Sequence, residues 1–432
     1  MTNKHSNFPS PRLIFLLTAA LPALVATAAA QTPNRNEHWV ATWAASPQAP
    51  RVAFPRPAGP GGPAPARANR PPQPPPGFNN QTVRMVVRTS IGGRRARVQL
   101  SNAFGTAPLK IGSAHIALRD KESAIVPASD HALTFSGDPS FTIPPGAEII
   151  SDPVEMEIPK LGDLVISLYV PGDVTTPTTH LTGLHTTYIS GPGDFTGAPM
   201  IADARTTQSW YWISSVDVVA PTSAKLIVAY GDSITDGATS TPDTNSSWPS
   251  QLAQRLLANK ATANVAIVNE GISGNRVLSD GAGVSALARF DRDVLSQPGV
   301  KWVIVMEGIN DIGLGARATG ADALTANDLI AAHKQLIERA HMHGIKAIGV
   351  TLTPFEGASY FSEPGEAIRT ALNQWIRTSK AYDAVIDFDA VTRDTANPKQ
   401  IRPTFNIRDH LHPNDAGYKA MADAVDLSIF AK

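Results

Sequence analysis

The chain of 432 residues contains no cysteine. That excludes disulfides, cysteine–zinc sites, a thiol nucleophile and lipid attachment through an N-terminal cysteine, so an exported form has to rely on its core, which this length can supply. Charge of one sign is lacking as well: 37 Lys and Arg balance 37 Asp and Glu, and no long basic run occurs. Nucleic acid and an anionic membrane surface both favour a basic field, so neither is an expected partner. The N-terminus carries Lys4 and Arg12, then an apolar stretch from Leu13, then Ala28-Ala29-Ala30 before Gln31. This is the charged region, apolar region and small-residue cleavage site of a secretory signal peptide over residues 1–30. Thr18 and Pro22 interrupt the stretch, which reads poorly as a stable membrane anchor, and no Arg-Arg pair precedes it, which favours the general secretory route over the twin-arginine one. The mature protein is expected in the periplasm or outside the cell.

What the chain does have is punctuation. Residues 50–77 are dense in Pro, Gly, Ala and Arg, a composition that cannot bury a core. Strand patterns on both sides make this an exposed loop inside a domain. From 81 to 219 short alternating runs recur at 83–89, 95–100, 114–118, 155–158 and 164–169, separated by Gly, Pro and Asp. They indicate a β-sandwich, jelly-roll-like, over residues 31–220. Trp39, Trp43, Trp210, Tyr211 and Trp212 either fill its core or stack on sugar rings, and His180 and His185 flank a Thr-rich loop, where each is expected at a turn or surface, with reach to a neighbouring active site as the alternative.

From 225 the texture changes to strands at 226–229, 265–268, 302–306, 347–351 and 385–388. Helical stretches lie between and after them at 250–257, 322–343, 364–382 and 414–430. Alternation of this kind means a parallel sheet with helices on both faces, a three-layer α/β/α domain over residues 224–432.

The first of these strands breaks into Gly231-Asp232-Ser233, with Gly237 just beyond. Open α/β sheets place ligands at the carboxyl ends of their strands, and Ser233 would start the next segment with its own N–H unpaired. By itself Gly-Asp-Ser is ordinary turn chemistry. Its company changes the reading: Ile272-Ser273-Gly274-Asn275-Arg276 and Gly308-Ile309-Asn310-Asp311 follow two further strands, and Asp409-His410-Leu411-His412-Pro413 comes near the end. Acyl transfer from an ester needs a nucleophile, a base, a group that orients the base, and donors for the oxyanion. Ser233, His412 and Asp409 supply the first three. The Ser233 and Gly274 N–H groups and the Asn310 side-chain amide supply the donors. His410 competes as base, but in an extended stretch it points the other way. Pro413 fits the first position of the terminal helix. Asp232, Asn275, Arg276 and Trp248 are candidates for the substrate rim, and Phe355, Tyr360 and Phe361 either line an acyl pocket or close the core. No cofactor or metal is expected.

At these residues the chain resembles the GDSL-type esterases, the SGNH hydrolase superfamily. GDSITDG matches the first block, Ile272-Ser273-Gly274 the second, Gly308-Ile309-Asn310-Asp311 the third, and Asp409 with His412-Pro413 the fifth. The resemblance spans residues 224–432 and implies a flavodoxin-like sheet and a metal-free serine hydrolase. No Gly-x-Ser-x-Gly surrounds Ser233, which argues against an α/β-hydrolase. The segments WVATWAASPQ, VRMVVRTSIGG and RVQLSNAFG look like a xylan-esterase-like bacterial branch with an upstream β-domain, which tilts the substrate toward O-acetylated poly- or oligosaccharide. Three alternatives stand beside this: a lipase, lysophospholipase or aryl esterase of the same superfamily; a metal-dependent phosphoesterase, which lacks its Asp-x-His here; and a non-catalytic glycan-binding protein.

Overall fold

Alternating apolar residues in the first half pair into two antiparallel sheets in the computed structural model, which describes residues 1–3, 37–50, 77–315 and 323–431. The expected leader past residue 3 and the body of the Pro-rich loop lie outside the described residues. One sheet is ordered Trp39–Ala44, Ile213–Val219, Gly93–Ser101, Glu148–Ile150, with Val154–Ile158 also paired to Gly93–Ser101. The other is ordered Arg205–Thr207, Thr187–Pro192, Gln81–Arg88, Asp163–Val170, Ser113–Leu118, His131–Ala132. The period of two along each strand decides which side chains meet. Val83, Met85, Val87, Leu164, Ile166 and Leu168 join Ala96, Val98, Leu100, Val216 and Val218 in one core, while Val165 and Ala117 turn to the opposite face. Trp43, Trp210, Tyr211 and Trp212 belong to that core and are at most 8% exposed, so these rings fill it and offer no face to a sugar. Trp39 lies half-buried beneath the Arg97 guanidinium.

The second half builds five parallel strands in the order Val265–Gly271, Lys225–Gly231, Val300–Met306, Lys346–Val350, Ala384–Ile386. Counted along the chain this is 2-1-3-4-5, the flavodoxin-like doubly wound order. Leu226 to Tyr230 are fully buried, as a central strand covered on both faces requires. Trp248–Ala258, Ala326–Met342, Glu363–Thr378 and Asp415–Asp423 are the main helices. The second begins later than 322 because Thr325 and Asp328 form a reciprocal capping box there. The last ends at Asp423, short of the expected 430, because Asp426 caps a separate turn over Leu427–Phe430. The β-rich and α/β layers share one continuous core. Their seam is also hydrogen-bonded, with Ala41 N–H donating to the Pro298 carbonyl (3.1 Å) and Ile267 N–H to Ser90 Oγ (3.2 Å).

Candidate active site

The Lys225–Gly231 strand runs directly into Asp232, whose Oδ1 accepts the Ile234 N–H (3.0 Å) and caps a single helical turn, Ser233–Asp236. Ser233 therefore takes the first helical position, where an N–H has no intrahelical acceptor. Among the described residues no group accepts it. The side chain is 5% exposed, and its Oγ stands 2.9 Å from His412 Nε2. On the far side of the ring, Nδ1 donates to Asp409 Oδ2 at 2.6 Å. Asp409 Oδ1 accepts the Leu411 and His412 N–H groups, both at 2.9 Å, so one carboxylate closes the backbone turn and orients the imidazole. Partial burial pushes the Asp409 carboxyl up, but the His412 ring and the two N–H groups outweigh it and hold the carboxyl below its ordinary range. Three bonds tie this loop to the one after Ser233: Thr239 Oγ1 donates to the Pro413 carbonyl, and the Thr241 N–H and hydroxyl both donate to Asp415.

His410 takes a left-handed φ of 59° and packs its ring on Gly357, so it is His412 that meets Ser233. Pro413 does not begin the terminal helix. It precedes Asn414, whose side chain accepts the Gly417 N–H and is the cap.

Gly271 ends its own strand against the Ser233–Asp236 turn. A Cβ there would lie 2.2 Å from the Asp236 nitrogen. The chain then turns over residues 272–275, closed by Asn275 N–H to the Ile272 carbonyl (2.9 Å), with Gly274 third at φ 83°. A turn of this kind needs glycine there and leaves the Gly274 N–H facing outward. It has no acceptor among the described residues. Asn310 Nδ2 donates to the Asn275 carbonyl (2.9 Å), and both oxygens of Asp311 accept N–H groups, from Val277 (2.8 Å) and Leu278 (3.0 Å). The second and third motifs are thus bonded to each other.

Three of the four rim candidates are not on a rim. Asp232, Asn275 and Trp248 are fully buried. Trp248 packs edge-on against Phe388, and Asn275 spans the loop by donating to the Val284 carbonyl and accepting from Arg289. Burial pushes the Asp232 carboxyl up to about 7, against the pull of the Ile234 N–H and the His412 ring. Arg276 is half-buried and turns back on the Asp280 carbonyl. Phe355 closes the core beside Phe361. Tyr360 lies against Gly313 with its hydroxyl 3.5 Å from Asn310 Oδ1. Burial, with the Asp232 and Asp409 carboxylates nearby, raises its phenol far above the ordinary value, so it stays neutral.

Arg289 is the residue that sequence reasoning missed. Fully enclosed, it donates to Asn275 Oδ1 (2.9 Å), the Glu270 carbonyl (2.7 Å), Ser46 Oγ (2.9 Å), Asp293 (2.9 Å), the Gly231 carbonyl (3.0 Å) and Glu307 (3.2 Å). One guanidinium thereby joins the end of the Lys225–Gly231 strand to the Gly274 loop. Burial disfavours its charge, but Tyr230, Asp293 and Glu307 around it reverse the effect and keep it ionised. Burial also drives Glu270 and Glu307 well above the carboxylate range. The one trace in the sequence is an Arg–Asp pair four apart, which reads as a solvated helix face. His180 and His185, expected at a turn or surface, are buried at the seam, where they reach Asp236 and Asn245.

Residues 229–420 match the model of the GDSL-like Lipase/Acylhydrolase family, and this part of the chain is a GDSL-like lipase/acylhydrolase domain. The protein is a carboxylic ester hydrolase. No curated protein matches the chain. Among solved structures it is similar to a GDSL-like lipase from Bacteroides thetaiotaomicron VPI-5482, at 21% identity over 48% of this chain and 88% of that one, with a TM-score of 0.36. It is also similar to an acetyl xylan esterase from Geobacillus stearothermophilus, at 22% identity over 48% and 94%, TM-score 0.38. A third is the aryl esterase of M. smegmatis, at 19% identity over 46% and 96%, TM-score 0.37. Among the described residues no helix is long and apolar enough to cross a membrane, and no group of three or more His, Asp or Glu has the spacing to hold a metal.

Proposed function

We propose that this hydrolase cleaves its ester through an acyl-enzyme on Ser233, with His412 as base and Asp409 as the group that orients it. Ser233 Oγ attacks the ester carbonyl and passes its proton to His412 Nε2. The negative charge that develops on the carbonyl oxygen is taken by the N–H groups of Ser233 and Gly274 and by the Asn310 amide. Collapse expels the alcohol, which leaves with the proton from His412, and a water attacks the acyl group by the same route in reverse. The observation that carries the reading is the unbroken chain Ser233 Oγ, His412, Asp409 at 2.9 and 2.6 Å. Ser233→Ala tests it: turnover of p-nitrophenyl acetate falls by about 10⁴-fold or more with folding intact, and a fluorophosphonate no longer labels the protein. A variant that keeps near wild-type turnover would rule Ser233 out.

The substrate we propose is an O-acetyl group on a xylan-like carbohydrate, released outside the cytoplasm. Support comes from the N-terminal segments quoted above and from the leader-like residues 1–30. One observation favours a second reading, a longer acyl chain or an aryl alcohol. Leu278, Leu314 and Ile407 are exposed (39%, 58% and 40%), and each stands within four residues of Gly274, Asn310 or Asp409. Acetate release from acetylated xylan, compared with hydrolysis of octanoyl and acetyl p-nitrophenyl esters, separates the two. A clear preference for octanoyl ester removes the carbohydrate assignment.

A further inference from the structure

The turn that presents the Gly274 N–H is held from beneath by one carboxylate. Asp236 Oδ2 accepts both the Ser273 N–H (2.8 Å) and the Ser273 hydroxyl (2.5 Å). Its other oxygen faces His180 Nε2 at 3.1 Å, and His180 Nδ1 faces the Ser46 carbonyl at 2.9 Å. His180 and Ser46 both belong to the β-rich layer, and both side chains of the ion pair are at most 4% exposed. Thr182, from the same loop as His180, adds a hydroxyl contact to Ser273 Oγ (2.9 Å). The His180 ring is itself wedged against Trp210.

We infer that Asp236, fixed by His180 from the β-rich layer, is a positioning residue for the oxyanion donor at Gly274. The β-rich layer is then part of the catalytic apparatus. The inference rests on the reading of Gly274 as a donor. Its physical content is pre-organisation: an N–H stabilises developing charge only if it is aimed before the charge appears, and a two-peptide turn with a glycine at its apex has little stiffness of its own. Asp236 supplies that stiffness through two bonds to the residue before Gly274. Asp236 in turn cannot swing away, because His180 is anchored at both nitrogens. Nothing in this chain of contacts touches the ester, so its loss should show in the rate of the chemical step and not in substrate binding.

The test compares Asp236→Ala, Asp236→Asn, His180→Gln and His180→Phe by kcat and KM for p-nitrophenyl acetate and by the rate at which a fluorophosphonate labels Ser233. Asp236→Ala lowers kcat and the labelling rate by about 10²-fold, the loss typical of one oxyanion donor, with KM within about twofold. Asp236→Asn is the rescue. Its amide oxygen can accept from Ser273 while its NH₂ donates to a neutral His180 Nε2, so its loss stays within about threefold. His180→Gln keeps a donor toward Asp236 and falls between the two, whereas His180→Phe keeps none and approaches Asp236→Ala. If either non-isosteric variant fails to fold, the Asn and Gln variants still decide. An Asn variant as impaired as Ala, a loss carried by KM, or His180→Phe at wild-type kcat would overturn the inference. If wild-type Ser233 is not labelled at all, the acyl-enzyme reading itself fails. Labelling of Asp236→Ala at the wild-type rate sinks only the role given to Asp236.

Discussion

Asp409→Asn is the most informative single substitution, because the structure dictates which way the new amide must face. One oxygen of Asp409 accepts two backbone N–H groups, from Leu411 and His412, at 2.9 Å each. The other accepts the His412 Nδ1–H at 2.6 Å. An asparagine has one oxygen to offer. Turned toward the ring, it points its NH₂ at two N–H donors and strands both. Each stranded donor costs about 1–3 kcal/mol, and because the Asp409 side chain is 37% exposed and water can relieve part of this, about 2–4 kcal/mol for the pair is reasonable. The oxygen therefore stays with the backbone and the NH₂ faces His412 Nδ1. That nitrogen must then be an acceptor, which moves the ring proton to Nε2, the atom 2.9 Å from Ser233 Oγ. A base that already carries a proton on its working nitrogen cannot act. At 1.36 kcal/mol per tenfold, the productive tautomer falls to between about one in 30 and one in 10³. Loss of the negative charge beside the imidazolium adds to this, so kcat for p-nitrophenyl acetate should fall by about 10³-fold at pH 7.5 with KM little changed. Thermal unfolding should be almost unaltered, since the turn keeps its acceptor. An Asp409→Asn enzyme with a tenth or more of wild-type kcat would refute the tautomer argument.

Gly274→Ala places a Cβ at φ 83°, which costs about 1–2 kcal/mol and tilts the donor. Urea unfolding should show that loss of stability, and kcat should drop by roughly 10–10²-fold with KM unchanged. Burial holds the His333 imidazole down at about 4 against an ordinary 6.5, so the unfolded chain binds a proton that the native one refuses. Stability is therefore lost as pH falls from about 6.5 toward 4, by about 2 kcal/mol between pH 7 and 5 for this group. His333→Gln should remove that part of the slope in urea titrations at the two pH values, and an unchanged slope would refute it. Arg289→Met strands the Gly231 carbonyl, Asn275 Oδ1 and a share of Asp293, and should lower unfolding free energy by about 3–5 kcal/mol. A loss under 1 kcal/mol would show that the network is dispensable.

The residues proposed to react are legible as candidates because the chemistry proposed for them restricts residue type and because part of their geometry is local. Asp409 and His412 lie three apart, so a single turn brings carboxylate to ring whatever the rest of the chain does. Ser233 follows a buried apolar run, which places it at the carboxyl end of a strand. Both layers follow from periodicity and from the alternation of strand and helix, whereas the flavodoxin-like sheet comes only as what the family resemblance implies. Trp248, a rim candidate, shares with Leu252 and Leu256 the spacing that marks the apolar stripe of a helix, and the stripe wins. Asn275, another rim candidate, follows Gly274, but the turn that leaves Gly274 partly exposed buries the residue after it. His180 and Arg289 were beyond reach. Their partners lie 56 and 58 positions away at Asp236 and Gly231, and 134 and 243 positions away at Ser46, and no local pattern encodes such pairings.

That division has a physical consequence for how the site is built. The base side is self-contained, a four-residue turn whose single carboxylate does both the folding and the orienting. The side proposed to hold the oxyanion has no such economy, because a peptide N–H cannot aim itself. Gly274 depends on Ser273, Ser273 on Asp236 and Thr182, and Asp236 on His180, while the residue after Gly274 is held by Asn310 and Arg289. Buried ion pairs such as His180–Asp236 and Arg289–Asp293 contribute little net stability, since desolvation consumes most of the Coulomb gain. An apolar core would hold these layers together as well. What an apolar core cannot do is fix a hydrogen-bond donor in direction, because dispersion contacts are nearly isotropic whereas hydrogen bonds weaken steeply off axis. The buried charge of His180, Asp236 and Arg289 behind residues 272–275 is therefore best accounted for by the need to aim one N–H.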